Sequence, residues 1–416
     1  MSPRGTRARR ATGKKHMVWL AAGVVVLGGT GVTAVAAPAR GAGAGPGDGT
    51  RPPKAHALPL DGKDAKRRTL PRTDTQTFSL VGVSWENGGD TFEGTARIRT
   101  RGAATGEWSA WRDLDFGVRA PETAEGGASD ARGASEPLWV GPSDGVEARV
   151  VADGGEAAVP DALRLDMIDP GVTVGGKGGR EAGGKGRSGP TASPDATRTT
   201  LAEESGGPAP TAPTAPAVVS RADWGADESL VQDPPSYLSK VDAVFVHHTA
   251  GTNDYACADS PAVIRAILTY HVRTNGWNDV GYNFFVDKCG TVFEGRAGGV
   301  DRPVLGAHTY GFNGYSSGIS LLGDYENGGT PTAAAKQAVA DLAAWKLGLH
   351  GVDPEAKVTL TAAADTGVWK KGQAATLNTV SGHRDGYATL CPGASLYSAL
   401  PEIRTAAGAS PYATGN

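Results

Sequence analysis

The hydrophobic positions repeat at two different periods along this chain. Phe92, Ala96 and Ile98 alternate with Glu93, Thr95, Arg97 and Arg99; Val146, Ala148 and Val150 alternate likewise, as do Leu163, Leu165 and Met167. A period of two is that of a strand with one face buried. Asn87-Gly88-Gly89 and Pro142-Ser143-Asp144-Gly145 read as the turns between such strands. No helical period interrupts residues 73–170, which are predicted to form a small all-β, antiparallel, sandwich-like unit. Trp85, Trp108, Trp111 and Trp139 fall within it. Burial habits assign them to its core, and exposed ones would offer faces for stacking on sugar rings.

Residues 218–407 carry a mixed pattern. Val241 to His247 is a near-continuous apolar run, as in a strand buried on both faces. Ser260-Pro261 supplies an N-cap and a first-turn proline, and Val263, Ile264, Ile267, Leu268 and His271 follow at helical spacing until Asn275-Gly276. Tyr282–Asp287 and Thr291–Glu294 flank Lys288-Cys289-Gly290 as a hairpin, and Ile319–Leu322 reads as a further strand. Thr332 to Leu349 carries Val339, Leu342, Ala343, Leu347 and Leu349 on a long amphipathic helix. The expected fold class is α/β, a mixed central sheet flanked by helices, preceded by the all-β unit.

The remaining segments lack such periods. Residues 38–72 are rich in Gly, Pro, Lys and Arg and are predicted to be a disordered spacer; residues 171–217, Gly-rich and then Pro/Ala/Thr-rich, are predicted to be a linker. Residues 408–416 read as a tail. At the N-terminus a basic stretch, Arg4 to Lys15, precedes an apolar one, Met17 to Ala37, that ends in Ala34-x-Ala36. This is the layout of a secretory signal over residues 1–37, with an uncleaved membrane anchor as the rival reading. The mature chain is therefore expected to be secreted or extracellular. Composition agrees with long linkers, since 61 of the 416 residues are Gly and 27 are Pro. A net charge of −3 argues against a nucleic-acid partner. No protein partner is indicated, and a monomer is expected.

Candidate chemistry lies in the C-terminal unit, which holds all three cysteines. His383 and Cys391 lie in a segment of small and polar residues that can curl two donors onto one ion. His247-His248 ends the buried strand, and alternate side chains point to opposite faces, so one of the two can join that site. Two His and one Cys leave one tetrahedral position open, the pattern of a catalytic zinc whose fourth position takes water. If Cys391 is a ligand, Cys257 and Cys289 remain to pair in an oxidising compartment. In the other arrangement Cys391 pairs with one of them, no metal site exists and a thiol is left over.

In chain order stand Arg221-Ala-Asp-Trp-Gly-Ala, Val246-His-His-Thr-Ala250, Gly276-Trp-Asn-Asp-Val-Gly-Tyr-Asn-Phe284, Gly290-Thr-Val-Phe-Glu-Gly-Arg296, Gly306-Ala-His308, Gly318-Ile319, Gly382-His-Arg-Asp385 and Cys391-Pro-Gly393. With these motifs the chain resembles the peptidoglycan recognition protein family of zinc N-acetylmuramoyl-L-alanine amidases, in an actinobacterial exported form. The resemblance covers residues 218–407. It implies zinc held by His247, His383 and Cys391, with His248 turned away. It implies Tyr282 and Thr389 as catalytic hydroxyls that stabilise the developing oxyanion. It implies a peptidoglycan substrate, with the amide between N-acetylmuramic acid and L-alanine as the bond cut. His271, Arg296, His308 and Asn313 stand in surroundings that border the peptide groove in the family, and Arg296 is suited to a stem-peptide carboxylate. His271 also reads as a core-facing residue of its helix. Arg384 and Asp385 read either as hydrogen-bond partners of the site or as a structural ion pair. The alternative function is a non-catalytic peptidoglycan-binding module; the presence of Cys391 and Tyr282 favours hydrolysis. A structural wall protein is a third reading.

Overall fold

The alternating runs become strands of one antiparallel sheet. β1 (Lys54–Pro59), β2 (Arg67–Trp85), β3 (Gly94–Gly102), β4 (Arg112–Leu114), β6 (Leu138–Ala152) and β7 (Arg164–Asp169) lie in the order β1-β7-β2-β6-β3-β4, and β5 (Gly133–Ala134) pairs with β2. The computed structural model describes residues 50–62, 64–89, 92–127, 131–153, 158–172, 215–231 and 233–413. Ala96 and Ile98 of β3 pair with Val150 and Ala148 of β6. These side chains enter one core with Phe78, Val81, Val83, Leu165 and Met167. The β2–β6 register shifts at three places. Such bulges bend long strands, so a single sheet can enclose its own core in a sandwich-like way.

The sheet begins earlier than the sequence pattern indicates. The spacer predicted over residues 38–72 is corrected from Arg51 onward, because Arg51 bridges to Val172, β1 pairs with β7, and β2 already runs from Arg67. Lys54, Arg67 and Arg72 occupy exposed positions of strands, which is why composition alone reads as disorder. Gly171 and Val172 likewise belong with the sheet and not with the linker. The expected signal and nearly all of the expected linker lie outside the described residues. Among the described residues, no helix is long and apolar enough to cross a membrane. Trp85 and Trp139 are buried. Trp108 and Trp111 are half-buried beneath the guanidinium groups of Arg72, Arg99 and Arg149, 4.4–5.6 Å from the ring centres.

The C-terminal sheet is built from β8 (Val218–Val219), β9 (Ala243–His248), β10 (Phe284–Val286), β11 (Val292–Glu294), β12 (Ser316–Leu321) and β15 (Val380–Gly382), in the order β15-β9-β12-β10-β11-β8. β9 runs parallel to both β12 and β15, while β10 and β11 form the expected antiparallel hairpin. Alternation along β9 sends Val244 and Val246 into the core beneath α3 (Ala333–Gly348) and α5 (Ala394–Gly408). Ala243 and Phe245 point the other way, towards the hairpin of β13 (Lys357–Thr361) and β14 (Ala374–Asn378). Thr332 caps α3 by accepting from the Ala335 N–H at 3.0 Å. The expected tail is corrected too: α5 extends to Gly408, and Tyr412 and Ala413 pack on the core.

The two sheets are joined through α2 (Ser260–Arg273). Its Ile264, Ile267, Leu268 and Tyr270 share a core with Leu80, Ala134, Trp139 and Ile168 of the all-β unit. The Tyr270 hydroxyl reaches the carbonyl oxygens of Ser135 and Val83 at 3.2 and 3.3 Å. Gly82 is required there, since a Cβ at that position would stand 2.2 Å from this hydroxyl. Arg265 Nε donates to the Pro170 carbonyl at 3.2 Å, and the Arg132 N–H to the Asn275 carbonyl at 3.0 Å.

Cys257 and Cys289 form a disulfide across a sequence separation of 32 residues, tying the entry to α2 to the β10–β11 turn. A loop of that length restricts the unfolded chain enough to contribute roughly 3–4 kcal/mol. The double substitution Cys257→Ser, Cys289→Ser is expected to lower the unfolding free energy by about that amount, read as a lower urea midpoint at an otherwise similar far-UV spectrum. An unchanged midpoint would show that the loop is already held by its packing.

Candidate functional site

Strand register assembles the site. In the parallel β9–β15 pair, Val380 is opposite Val244 and Gly382 opposite Val246. The next rung therefore sets His383 beside His247, both at the carboxyl ends of their strands, where open α/β sheets bind ligands. Their ring centres are 4.4 Å apart. The Asp385 carboxylate accepts the Gly382 N–H at 2.8 Å and the Tyr397 hydroxyl at 2.6 Å, fixing the turn that carries His383. Arg384 pairs with Glu326 at 3.2 Å, so Arg384 and Asp385 act with other partners and not with each other. The following loop returns Cys391, whose Sγ lies 3.7 Å from His247 Nδ1.

One donor atom each from His247, His383 and Cys391 lies within 4.8 Å of the others, and all three residues are buried. His248 points to the opposite side of β9, where its Nδ1 accepts the Tyr325 N–H at 3.2 Å. The donor set fits a zinc ion. Buried His383 Nδ1 has no hydrogen-bond partner among the described residues, which is a costly state for a polar atom unless a ligand meets it. Burial pushes the Cys391 thiol well up and holds His247 well down, the latter reinforced by the neighbouring imidazoles. A cation is the group that both a thiolate and a neutral imidazole accept there. His247 Nε2 faces His308 Nδ1 at 3.2 Å and Thr309 Oγ1 at 3.4 Å, contacts that orient the ring with its Nδ1 towards Cys391.

Tyr282 stands beside this cluster, its ring centre 5.2 Å from that of His247. Burial raises its phenol well above the ordinary value, with the charges of Glu136 and Cys391 adding to the effect, so it remains a proton donor. His271 packs between Trp277 and Tyr282, and its Nδ1 accepts the Gly281 N–H at 3.0 Å, bracing the approach to β10. His308 sits on a bare backbone: a Cβ on Gly318 would meet its ring at 2.5 Å. Asn313 Oδ1 accepts the N–H groups of His308 and Thr309 at 2.7 and 2.9 Å. Burial takes His271 and His308 down to about 3, and the Arg296 charge acts in the same direction.

His271, His308, Asn313, Tyr282 and His383 line one chamber of only about 20 Å³, room for a water molecule. Thr389 is placed elsewhere. It lines a neighbouring cavity of about 710 Å³, and its hydroxyl accepts the Cys391 N–H at 3.1 Å. Thr389 holds the turn that presents Cys391. Arg296 is turned into a third cavity, of about 420 Å³.

The all-β unit supplies residues that motif reasoning did not find. Glu136 lines both the small chamber and its neighbour, as does Gly117. Burial pushes the Glu136 carboxyl up to about 8, with Asp115 adding and the Tyr282 hydroxyl opposing. Glu125 pairs with Arg296 at 2.5 Å, and Glu122 accepts from Asn313 Nδ2 at 2.8 Å. No sequence signal marks these three acids, because they lie ahead of every motif, in loops of the all-β unit. Trp277, within the Gly276–Phe284 motif, and Thr309 complete the surroundings.

Comparison with known proteins gives two family matches. Residues 237–394 match the family described as N-acetylmuramoyl-L-alanine amidase, and residues 41–170 that described as Rv3811 N-terminal galactose-binding domain-like. Peptidoglycan-recognition protein SC2 of Drosophila simulans is 33% identical over 189 residues, 45% of this chain and 85% of that protein. Peptidoglycan recognition protein 1 of Bos indicus is 32% identical over 190 residues, 44% of this chain and 83% of that protein. Among solved structures, wild-type Drosophila PGRP-LB aligns at 27% identity with a TM-score of 0.35, covering 44% of this chain and 91% of that one.

The buried, neutral His271 links stability to pH. Its folded pKa is lowered to about 3, so below about pH 6.5 the unfolded chain binds a proton that the folded chain refuses. Stability is therefore lost as pH falls, by about 2 kcal/mol from this residue between pH 6.5 and 5. His271→Gln should lose correspondingly less over that interval in urea titrations; an identical pH dependence would show that His271 protonates freely in the fold.

Proposed function

The chain belongs to the family of peptidoglycan-recognition proteins and N-acetylmuramoyl-L-alanine amidases, and on that premise we propose that it is a secreted, zinc-dependent hydrolase. The bond cut is the amide joining N-acetylmuramic acid to the L-alanine of the peptidoglycan stem. The observation that carries this reading is the convergence of His247, His383 and Cys391 beside a buried tyrosine.

In this reading His247 Nδ1, His383 Nδ1 and Cys391 Sγ hold the zinc. Bound there, zinc would supply Lewis acidity, polarising the scissile carbonyl and lowering the pKa of water at neutral pH. Tyr282 donates its hydroxyl proton towards the oxygen on which charge develops, and its raised pKa keeps that proton in place. His308 and Thr309 hold the His247 ring, and Asn313 holds the backbone of both. Arg296 offers a guanidinium to a stem-peptide carboxylate. Glu136 lines the same chamber, and a carboxyl raised to about 8 is mostly protonated at neutral pH, so it is placed to give a proton to the departing amine nitrogen. The disulfide suits export to an oxidising compartment. The alternative, a recognition module that binds wall fragments without cutting them, leaves the retained cysteine and tyrosine without a role.

Purified mature protein is expected to contain about one zinc per chain and to release peptides beginning at L-alanine from isolated peptidoglycan. Cys391→Ser should lose both zinc and release. Tyr282→Phe should keep its zinc and slow release by about 10²–10³-fold, the usual loss for one oxyanion donor. Full zinc occupancy with wall binding and no released peptide would establish the recognition module instead.

A further inference from the structure

The groove that would receive a stem peptide already contains carboxylates of this chain. Between β4 and β5, residues 115–127 leave the all-β sheet and lie along the C-terminal unit. Glu122 sets one oxygen 3.1 Å from the Asn313 N–H and the other 2.8 Å from Asn313 Nδ2. Glu125 Oε1 is shared by Arg296 Nη2 and by the Asn278 N–H at 2.8 Å. Both partners of the Glu125–Arg296 pair are less than a tenth exposed. Farther on, Gly117 and Glu136 form the partition between the 20 Å³ chamber and the 710 Å³ cavity. The 420 Å³ cavity beside Arg296 is lined in part by Thr123, Ala124 and Glu125. The acidic segment thus borders all three cavities, and the one next to Tyr282 and His383 is too small for a muramyl peptide.

We propose that residues 115–127 are a built-in occupant of the groove, in which Glu122 and Glu125 hold the donors that a carboxylate-bearing stem peptide takes. This rests on the reading of the site as one that receives peptidoglycan. Substrate then binds by exchange: an incoming carboxylate replaces Glu125 on Arg296, and the segment swings away from the chamber. Exchange avoids leaving a buried guanidinium unpaired, so opening costs far less in the presence of substrate than in its absence. In the resting protein only the open fraction binds, and the apparent affinity is weakened by that fraction. The all-β unit is thus a regulator of access, fastened to α2 by the shared core and released locally at its acidic loop.

The test uses the full mature chain with Glu122→Ala/Glu125→Ala and, separately, the milder Glu125→Gln. A soluble N-acetylmuramoyl pentapeptide is titrated by calorimetry, and release of its peptide is followed in parallel. Binding tightened about 10-fold or more in the double variant, and by a smaller factor in Glu125→Gln, supports the built-in occupant. Unchanged or weaker binding in correctly folded variants overturns it and makes the loop part of the substrate's own binding surface. If binding tightens and no form of the protein releases peptide, the hydrolase reading fails while the occupant stands. If every form releases peptide at the same rate with the same affinity, the occupant fails while the hydrolase stands.

Discussion

Parallel pairing of β15 with β9 is the constraint on which the site depends. Two strands separated by more than a hundred and thirty residues are held on adjacent rungs, and that alone puts His383 next to His247. A shift of one residue would turn His383 to the opposite face and leave the buried ring of His247 facing apolar side chains. The register is secured by the burial of Val244, Val246 and Val380 beneath α3 and α5. Packing far from the donors therefore fixes the distance between them. The loop to Cys391 needs no such register, because Thr389 and Arg384 tie its backbone locally.

A second layer of order comes from α2. One side of this helix braces the approach to β10 through His271 and Gly281, and its other contacts reach the all-β unit through Tyr270. The helix is thus common to the site and to the neighbouring sheet. Its burial in both explains why so many polar side chains, among them Arg265, Thr269 and His271, can be carried inside it with partners from either unit.

Much of the C-terminal unit was legible in the sequence, because buried strands, capped helices and ordered motifs each leave a local signature. The helix after Thr332 begins where its capping residue stands, whereas Ser260, read as an N-cap, lies in the first turn of α2 and donates to the Asp287 carboxylate. The approach of His247 to His383 could be expected from resemblance, while its cause, the strand register, is non-local and only the structure supplies it. α5 was hidden by Pro401, although Leu396, Leu400, Ile403 and Ala407 have helical spacing. The strands from Lys54 to Arg72 were hidden by exposed basic residues. Glu122, Glu125 and Glu136 were invisible for a different reason: nothing in a one-dimensional pattern says which surface a loop of one unit meets on another.

The disulfide has a consequence for how the chain matures. Three thiols can make one bond in three ways, and only one of these spares Cys391. In the unfolded chain Cys257 and Cys289 are separated by 32 residues, whereas Cys391 lies about a hundred residues beyond. Ring-closure statistics in that unfolded chain favour the shorter loop by about 1 kcal/mol. Early oxidation therefore consumes the two sulfurs that the fold can do without as thiols. It acts, in the synthetic chemist's sense, as a protecting-group strategy that delivers the third one unspent to its place beside His247 and His383.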